Sequence, residues 1–125
     1  MILADTSVWI DHFRRIDKEM ESLLERRQIM IHPFVVGELA CGNLPRRVSL
    51  LETLDALPGA VVAADKEVRE FIERHRLYGK GVGFVDFHLL VSAVLSPDSV
   101  LWTADRRLAG IAARMKVGHT TPVLH

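Results

Sequence analysis

At 125 residues and 14.1 kDa the chain has room for one hydrophobic core, and a single domain over 1–125 is expected. Its 49% hydrophobic and 26% charged residues, with a mean hydropathy of +0.16, allow enough apolar burial to offset chain entropy and exclude a disordered tail. Sixteen Lys+Arg balance sixteen Asp+Glu, so binding of nucleic acid by overall charge is excluded, and any such partner must be engaged by local features.

In chain order, short β-type runs are expected at 2–4, 29–31, 60–63 and 100–103, with a weaker one at 121–124. Each is too short to be a helix. The stretches between them carry helical periodicity. Pro33 fits the first turn of a helix that Gly42 and Asn43 end, and Pro45 opens another reaching Leu57. Val68, Phe71, Ile72 and His75 mark one face of a helix over 65–78, capped by Asp65 and stopped by Gly79. A further helix runs over 86–95. Strands alternating with helices predict a parallel sheet covered by helices on both faces, with no internal repeat or linker.

The single cysteine, Cys41, builds no disulfide framework and points to a reducing compartment. The longest apolar stretch, 89–95, contains Ser92 and falls far short of the ~18 to 20 residues that span a bilayer. The N-terminus MILADTSVWI has no basic region before its apolar residues, and Asp5 interrupts the run too early for a secretory signal. The expectation is a soluble, cytoplasmic protein that starts near its native beginning.

Four carboxylates stand where ordinary packing has little use for them. Asp5 directly follows the first apolar run and Asp105 follows the fourth, which puts both at strand C-termini, the edge where open α/β sheets bind ligands. The plain alternative is that each caps the next helix. Glu38, on the helix that begins near Pro33, is expected to share an inward face with Phe34, Val35, Cys41 and Gly42 by i, i+3, i+4 spacing. Asp86 joins the stripe of Leu89, Leu90 and Ala93 at the head of its helix, where an N-cap role is the competing reading. A buried charge is costly unless it is paired or bound to a metal, yet no Lys or Arg lies at i±3 or i±4 of Glu38 or Asp86.

Asp and Glu oxygens without His or Cys companions suit Mg²⁺ or Mn²⁺ better than zinc. Clustered around such an ion, they serve to activate a water for in-line attack on a phosphodiester and to stabilise the charge that develops. Thr103, two residues before Asp105, and Ser7, two after Asp5, are placed for hydroxyls that orient a carboxylate or a bound water, with helix capping the alternative for Ser7. The six histidines show no metal-ligand spacing, and His88 reads as a core or surface residue before it reads as a ligand. Asp98, in Ser96-Pro97-Asp98-Ser99, reads as a turn.

DTSVWID at the start, Gly37-Glu38-Leu39, Val85-Asp86-Phe87-His88-Leu89-Leu90 and Trp102-Thr103-Ala104-Asp105-Arg106-Arg107-Leu108 together resemble a PIN domain of the VapC toxin type, over nearly the whole chain. The resemblance implies a Mg²⁺- or Mn²⁺-dependent endoribonuclease, the toxin of a bacterial or archaeal type II toxin–antitoxin pair. It implies Asp5, Glu38, Asp86 and Asp105 as catalytic acids and metal ligands, with Thr103 as their hydroxyl neighbour. The implied fold is an α/β/α sandwich around a parallel sheet of about five strands, in agreement with the alternation above. The implied partners are an RNA substrate, a VapB-like antitoxin segment docked near the cleft, and a second copy of the chain in a homodimer. Where some PIN domains add an acid or polar residue to the third motif, Phe87 and His88 follow Asp86 here.

Arg14, Arg106 and Arg107 lie closest in sequence to the acidic motifs and are candidate RNA contacts, together with Ser7. Gly79-Lys80-Gly81-Val82-Gly83 lacks the GxxxxGK[ST] order of a phosphate loop and follows a helix. It reads either as a helix stop with a flexible connection, or as a lip of the cleft where Lys80 meets an RNA phosphate. Val8, Trp9, Ile10 and Phe13 exceed one inward stripe, which leaves core packing and an interface both open. Two other classes compete. An aspartyl-phosphate phosphatase needs an acid where Ser7 stands, and a receiver domain needs paired acids at the first strand and a late lysine, neither of which is visible. A PIN-like binding module without activity is the non-enzymatic alternative, against which the four intact acids argue.

Overall fold

The computed structural model describes residues 1–120. Its centre is a parallel sheet of β1 (Ile2–Ala4), β2 (Ile29–Met30) and β3 (Val100–Trp102) in the order β2-β1-β3. Ile2 lies opposite Ile29 on one side and Val100 on the other, and Ala4 lies opposite Trp102. Two more chain segments touch the sheet through single parallel bridges, Gly59 beside Ile31 and Gly118 beside Leu101. Five parallel segments are therefore present among the described residues, three of them strands.

The run at 60–63 does not become a strand. Its ladder stops once Ala60 N has reached Ile31 O at 2.9 Å, because the next donor on the neighbouring segment would be Pro33, which has no N–H, and Val61 N bonds the Ser96 hydroxyl at 3.0 Å. The run at 121–124 lies outside the described residues.

Seven helices flank the sheet among the described residues: α1 (Thr6–Arg14), α2 (Lys18–Glu25), α3 (Pro33–Ala40), α4 (Arg47–Asp55), α5 (Asp65–Arg74), α6 (Phe84–Leu95) and α7 (Arg106–Arg114). Pro33 does sit in the first turn of α3. Helix α5 is shorter than expected: it stops at Arg74, and Arg76 with φ +52° turns the chain before Gly79. Asp65 does not cap it either. The cap is Ala64, whose amide is held by Glu67 Oε1 at 3.0 Å, while the Asp65 carboxylate turns to His88. Asp98 forms the expected turn, with φ +50°.

Helix α6 is the centre of the core. From Phe87 to Ala93 every residue is buried and none is a carboxylate or a Lys/Arg, because the helix lies on β1 and β3 and is covered by α5. Leu3, Leu89, Leu90, Leu101 and Leu108 are almost completely enclosed around it. No helix among the described residues is long and apolar enough to cross a membrane.

Two buried histidines face each other in this core. His32 caps α3, its Nδ1 accepting from Phe34 N at 3.0 Å, so the ring proton resides on Nε2, which has no partner among the described residues. His88 lies with its ring centroid 6.4 Å away and its Nε2 2.8 Å from Asp65 Oδ1. Burial, and then the nearby His88, lower the His32 pKa from 6.5 to about 4. Between those two values the unfolded chain takes up a proton that the folded one refuses, so this group costs stability as the pH falls from 6.5 toward about 4. The expected loss is up to about 3 kcal/mol. His32→Asn keeps an acceptor for Phe34 N and removes the titration. Thermal melts from about pH 7 to about pH 4.5 should show a smaller fall in Tm for the variant than for the parent chain, whereas equal falls would mean that His32 takes up its proton without penalty.

Candidate active site

The sheet order decides where two of the acids emerge. Strands β1 and β3 are parallel neighbours, so their C-terminal ends share one edge, and Asp5 N donates to Trp102 O across it at 2.9 Å. Asp5 follows β1 directly and is buried; Asp105 follows β3 and is exposed. Both do cap helices, Asp5 Oδ1 accepting from Val8 N at 3.2 Å and Asp105 Oδ1 from Arg107 N at 2.8 Å and Leu108 N at 3.2 Å. In each carboxylate only Oδ1 is used, and Oδ2 accepts no hydrogen bond among the described residues. Capping and a ligand role therefore draw on different oxygens of the same side chain.

Hydroxyls tie the edge together. Ser7 Oγ donates to Asp5 Oδ1 at 2.5 Å and accepts from Ala104 N at 3.2 Å, which joins the loop after β1 to the loop after β3. Thr103 Oγ1 accepts from Asp105 N at 3.0 Å, so it orients the backbone of Asp105 and not its carboxylate. Thr6, the first residue of α1, donates from Oγ1 to Glu38 Oε1 at 2.6 Å. The sequence reading did not single out Thr6, and nothing local reveals it, since its partner lies 32 residues away.

Glu38 is exposed, which corrects the expected inward face. The buried stripe of α3 is Val35 and Leu39, whereas Phe34, Glu38, Cys41 and Gly42 lie toward solvent. On a helix of about two turns, i, i+3 and i+4 spacing links Glu38 equally to Phe34 and Val35, and packing against α1 chose between them.

Asp86 is half-buried in the first turn of α6, whose cap is Gly83, so Asp86 is not the helix cap. Its pKa is raised above the usual 3.8, first by burial and then by the negative charges of Asp5, Asp105 and Glu38, while a backbone hydrogen bond at Gly83 pulls the other way. Asp86 thus feels all three other acids.

No three of the described His, Cys, Asp or Glu side chains form a ready-made metal cage. Magnesium does not need one, because it commonly takes one or two carboxylates and keeps several waters. The donor set is all oxygen, the Oδ2 atoms of Asp5 and Asp105 are free, and the strain on Asp86 is of the kind a cation relieves. These residues fit a hard divalent ion in an open, hydrated site.

The basic candidates are spread around the edge. Arg14 lines a groove of about 360 Å³ with Ile10, Phe13, Glu38, Leu44 and Pro45. Lys80, Arg106 and Arg107 are all exposed, and the Arg107 guanidinium lies against Gly81. Of the apolar run in α1, Val8 and Trp9 are core, and Ile10 and Phe13 reach the groove. His88 is a core residue, buried between Phe34 and Phe84 and bonded to Asp65.

Residues 2–114 match the PIN domain family model. The chain is also 41% identical over 117 residues, 94% of each chain, to "Ribonuclease VapC32" of Mycobacterium tuberculosis, in both strain CDC 1551 / Oshkosh and strain ATCC 25618 / H37Rv. The α/β architecture and the parallel sheet agree with that match, and the chain belongs to the PIN domain family, in its VapC-type branch.

Proposed function

We propose that the chain is a divalent-metal-dependent endoribonuclease acting as the toxin of a toxin–antitoxin pair in the cytoplasm. One observation carries the reading: Asp86 is made a reluctant anion by its burial and by the combined charge of Asp5, Glu38 and Asp105. Such a gathering is unfavourable for folding alone and useful around a cation. The ribonuclease name of the Mycobacterium tuberculosis relatives, at 41% identity, supports RNA as the substrate and a VapB-like protein as the antitoxin.

Asp5, Asp86 and Asp105 would hold Mg²⁺ or Mn²⁺, with Glu38 completing the acidic site. The ion, when bound, supplies a water of lowered pKa and offsets charge on the phosphate. Ser7 holds Asp5 through Oδ1 and leaves Oδ2 for the ligand. Thr6 likewise fixes Glu38 through Oε1 and leaves Oε2 to orient a water or accept its proton. Thr103 sets the backbone from which Asp105 projects. The groove along Ile10, Phe13, Leu44 and Pro45 opens beside Glu38 and Arg14, a site where an antitoxin segment with apolar side chains would cover the acids. A homodimer belongs to the same proposal and rests on the resemblance.

Incubation with a panel of RNAs should give cleavage with Mg²⁺ or Mn²⁺, no cleavage in EDTA, and 5′-phosphate and 3′-hydroxyl ends. Cleavage in excess EDTA, or 2′,3′-cyclic phosphate ends, would remove the hydrolytic metal mechanism; metal binding without cleavage of any RNA would favour an inactive binding module. Expression alone should arrest growth, co-expression of the antitoxin should restore it, and sedimentation should give a dimer.

Asp86→Asn separates the roles. In EDTA near neutral pH the variant should be at least as stable as the parent, because the folded-state pKa of Asp86 is raised and its ionised form opposes folding. That advantage should shrink as the pH falls through the raised folded-state pKa of Asp86 and vanish below 3.8, where the unfolded chain is protonated as well. Added Mn²⁺ should raise Tm in the parent and far less in the variant. Cleavage should fall by at least ~100-fold. An unchanged metal response and activity would take Asp86 out of the site.

A further inference from the structure

Gly81, three residues before α6, and the side chain of Arg107, in the first turn of α7, are in contact. An ideal Cβ at residue 81 would stand 2.4 Å from a guanidinium nitrogen of Arg107, so the guanidinium lies directly on the glycine backbone. The φ of +75° favours glycine there independently. Gly81 precedes the Gly83 cap of α6 by two residues, and Asp86 sits in the first turn beyond it. Arg107 itself is in the first turn of α7, its backbone N–H bonded to Asp105 Oδ1 at 2.8 Å. The side chain of Arg107 therefore joins the first turn of α7, which Asp105 caps, to the segment that leads into the Asp86 turn of α6.

Two residues past Asp105, an arginine is expected to form an ion pair. Among the described residues this one does not: its guanidinium has no carboxylate partner and no hydrogen-bond acceptor. It rests on Gly81 and, being exposed, is open to an anion from outside. Seating on the glycine reduces the side-chain freedom lost on binding.

We infer that Arg107, seated on Gly81, is a substrate-binding residue that grips a backbone phosphate of the RNA beside the acidic site. This rests on the ribonuclease reading above. A guanidinium holds phosphate by a planar fork of N–H donors that an ammonium does not reproduce. The glycine-rich segment 79–83 then acts as the seat of the phosphate-binding arginine rather than as a phosphate loop.

The test uses an RNA that the parent chain cleaves, with binding measured in EDTA and kcat and KM measured in Mg²⁺, each across a range of NaCl concentrations. Arg107→Gln should weaken binding and raise KM about tenfold, flatten the log–log salt dependence by about 0.7, and leave Tm unchanged. Arg107→Lys should keep the salt slope and recover only part of the affinity. Gly81→Ala should weaken binding in the parent and add no further loss in the Arg107→Gln background, because its effect runs through the displaced guanidinium. Parent-like affinity and salt slope in Arg107→Gln would overturn the inference, as would a Gly81→Ala effect that persists undiminished without the arginine. An Arg107→Gln chain that handles RNA normally but no longer co-purifies with the antitoxin would assign the guanidinium to a protein carboxylate and overturn it too. A parent chain that neither binds nor cleaves any RNA would instead reject the ribonuclease reading.

Discussion

Four carboxylates within electrostatic reach of one another repel, and the repulsion grows as water is excluded, so the way each is exposed or partnered follows from that constraint. Glu38 and Asp105 remain in water, and Asp86 is half-buried with a raised pKa. Asp5 alone is buried. It is also the acid that a hydroxyl, Ser7 Oγ, serves in addition to a backbone amide, Val8 N, and such donors lower the penalty of placing a carboxylate in the interior. The strain is concentrated on Asp86, whose helix is the most deeply packed in the molecule and is not free to move away.

The scaffold that holds this arrangement is small. Strands of two and three residues make few ladder hydrogen bonds, and the loops after β1 and β3 are joined by the Ser7 bridge from Asp5 to Ala104. Helix caps at Asp5 and Asp105 use one oxygen each: Oδ1 satisfies orphan amides of α1 and α7, and Oδ2 is left without a hydrogen bond among the described residues. In the proposed site, a local device for starting a helix would also leave an oxygen for the ion.

The opposite side of α6 carries a different polar device. His88 reaches Asp65 at the start of α5 and faces His32 at the start of α3, linking three helices through rings packed with Phe34 and Phe84. Among the described residues both histidines leave a ring nitrogen unpartnered, a cost that grows when His32 is protonated. Asp86 in α6 and His32 at the cap of α3 thus carry opposite pH sensitivities: Asp86 opposes folding when ionised, His32 when protonated.

The sequence by itself determined the chemistry. Asp5 and Asp105 are legible because a short apolar run ending in Asp is a strand leading into a helix, and strands of that kind pair in parallel when helices separate them. The α/β fold class and the membership of a PIN-type family were legible for the same reason, from four acidic motifs in order. Direction and partnership were not. The face that Glu38 presents, the choice of Gly83 over Asp86 as a cap, the turn of Asp65 toward His88 and the early end of the strand run at Ala60 all depended on which surface each segment packed against. So did the bonds of Thr6 to Glu38, Ser7 to Ala104 and the seating of Arg107 on Gly81, between residues 32, 97 and, by their numbers, 26 positions apart. Local periodicity specifies an element and its donors and acceptors, but the partners those groups meet across the sheet edge are set only when the core closes and leaves each helix one orientation.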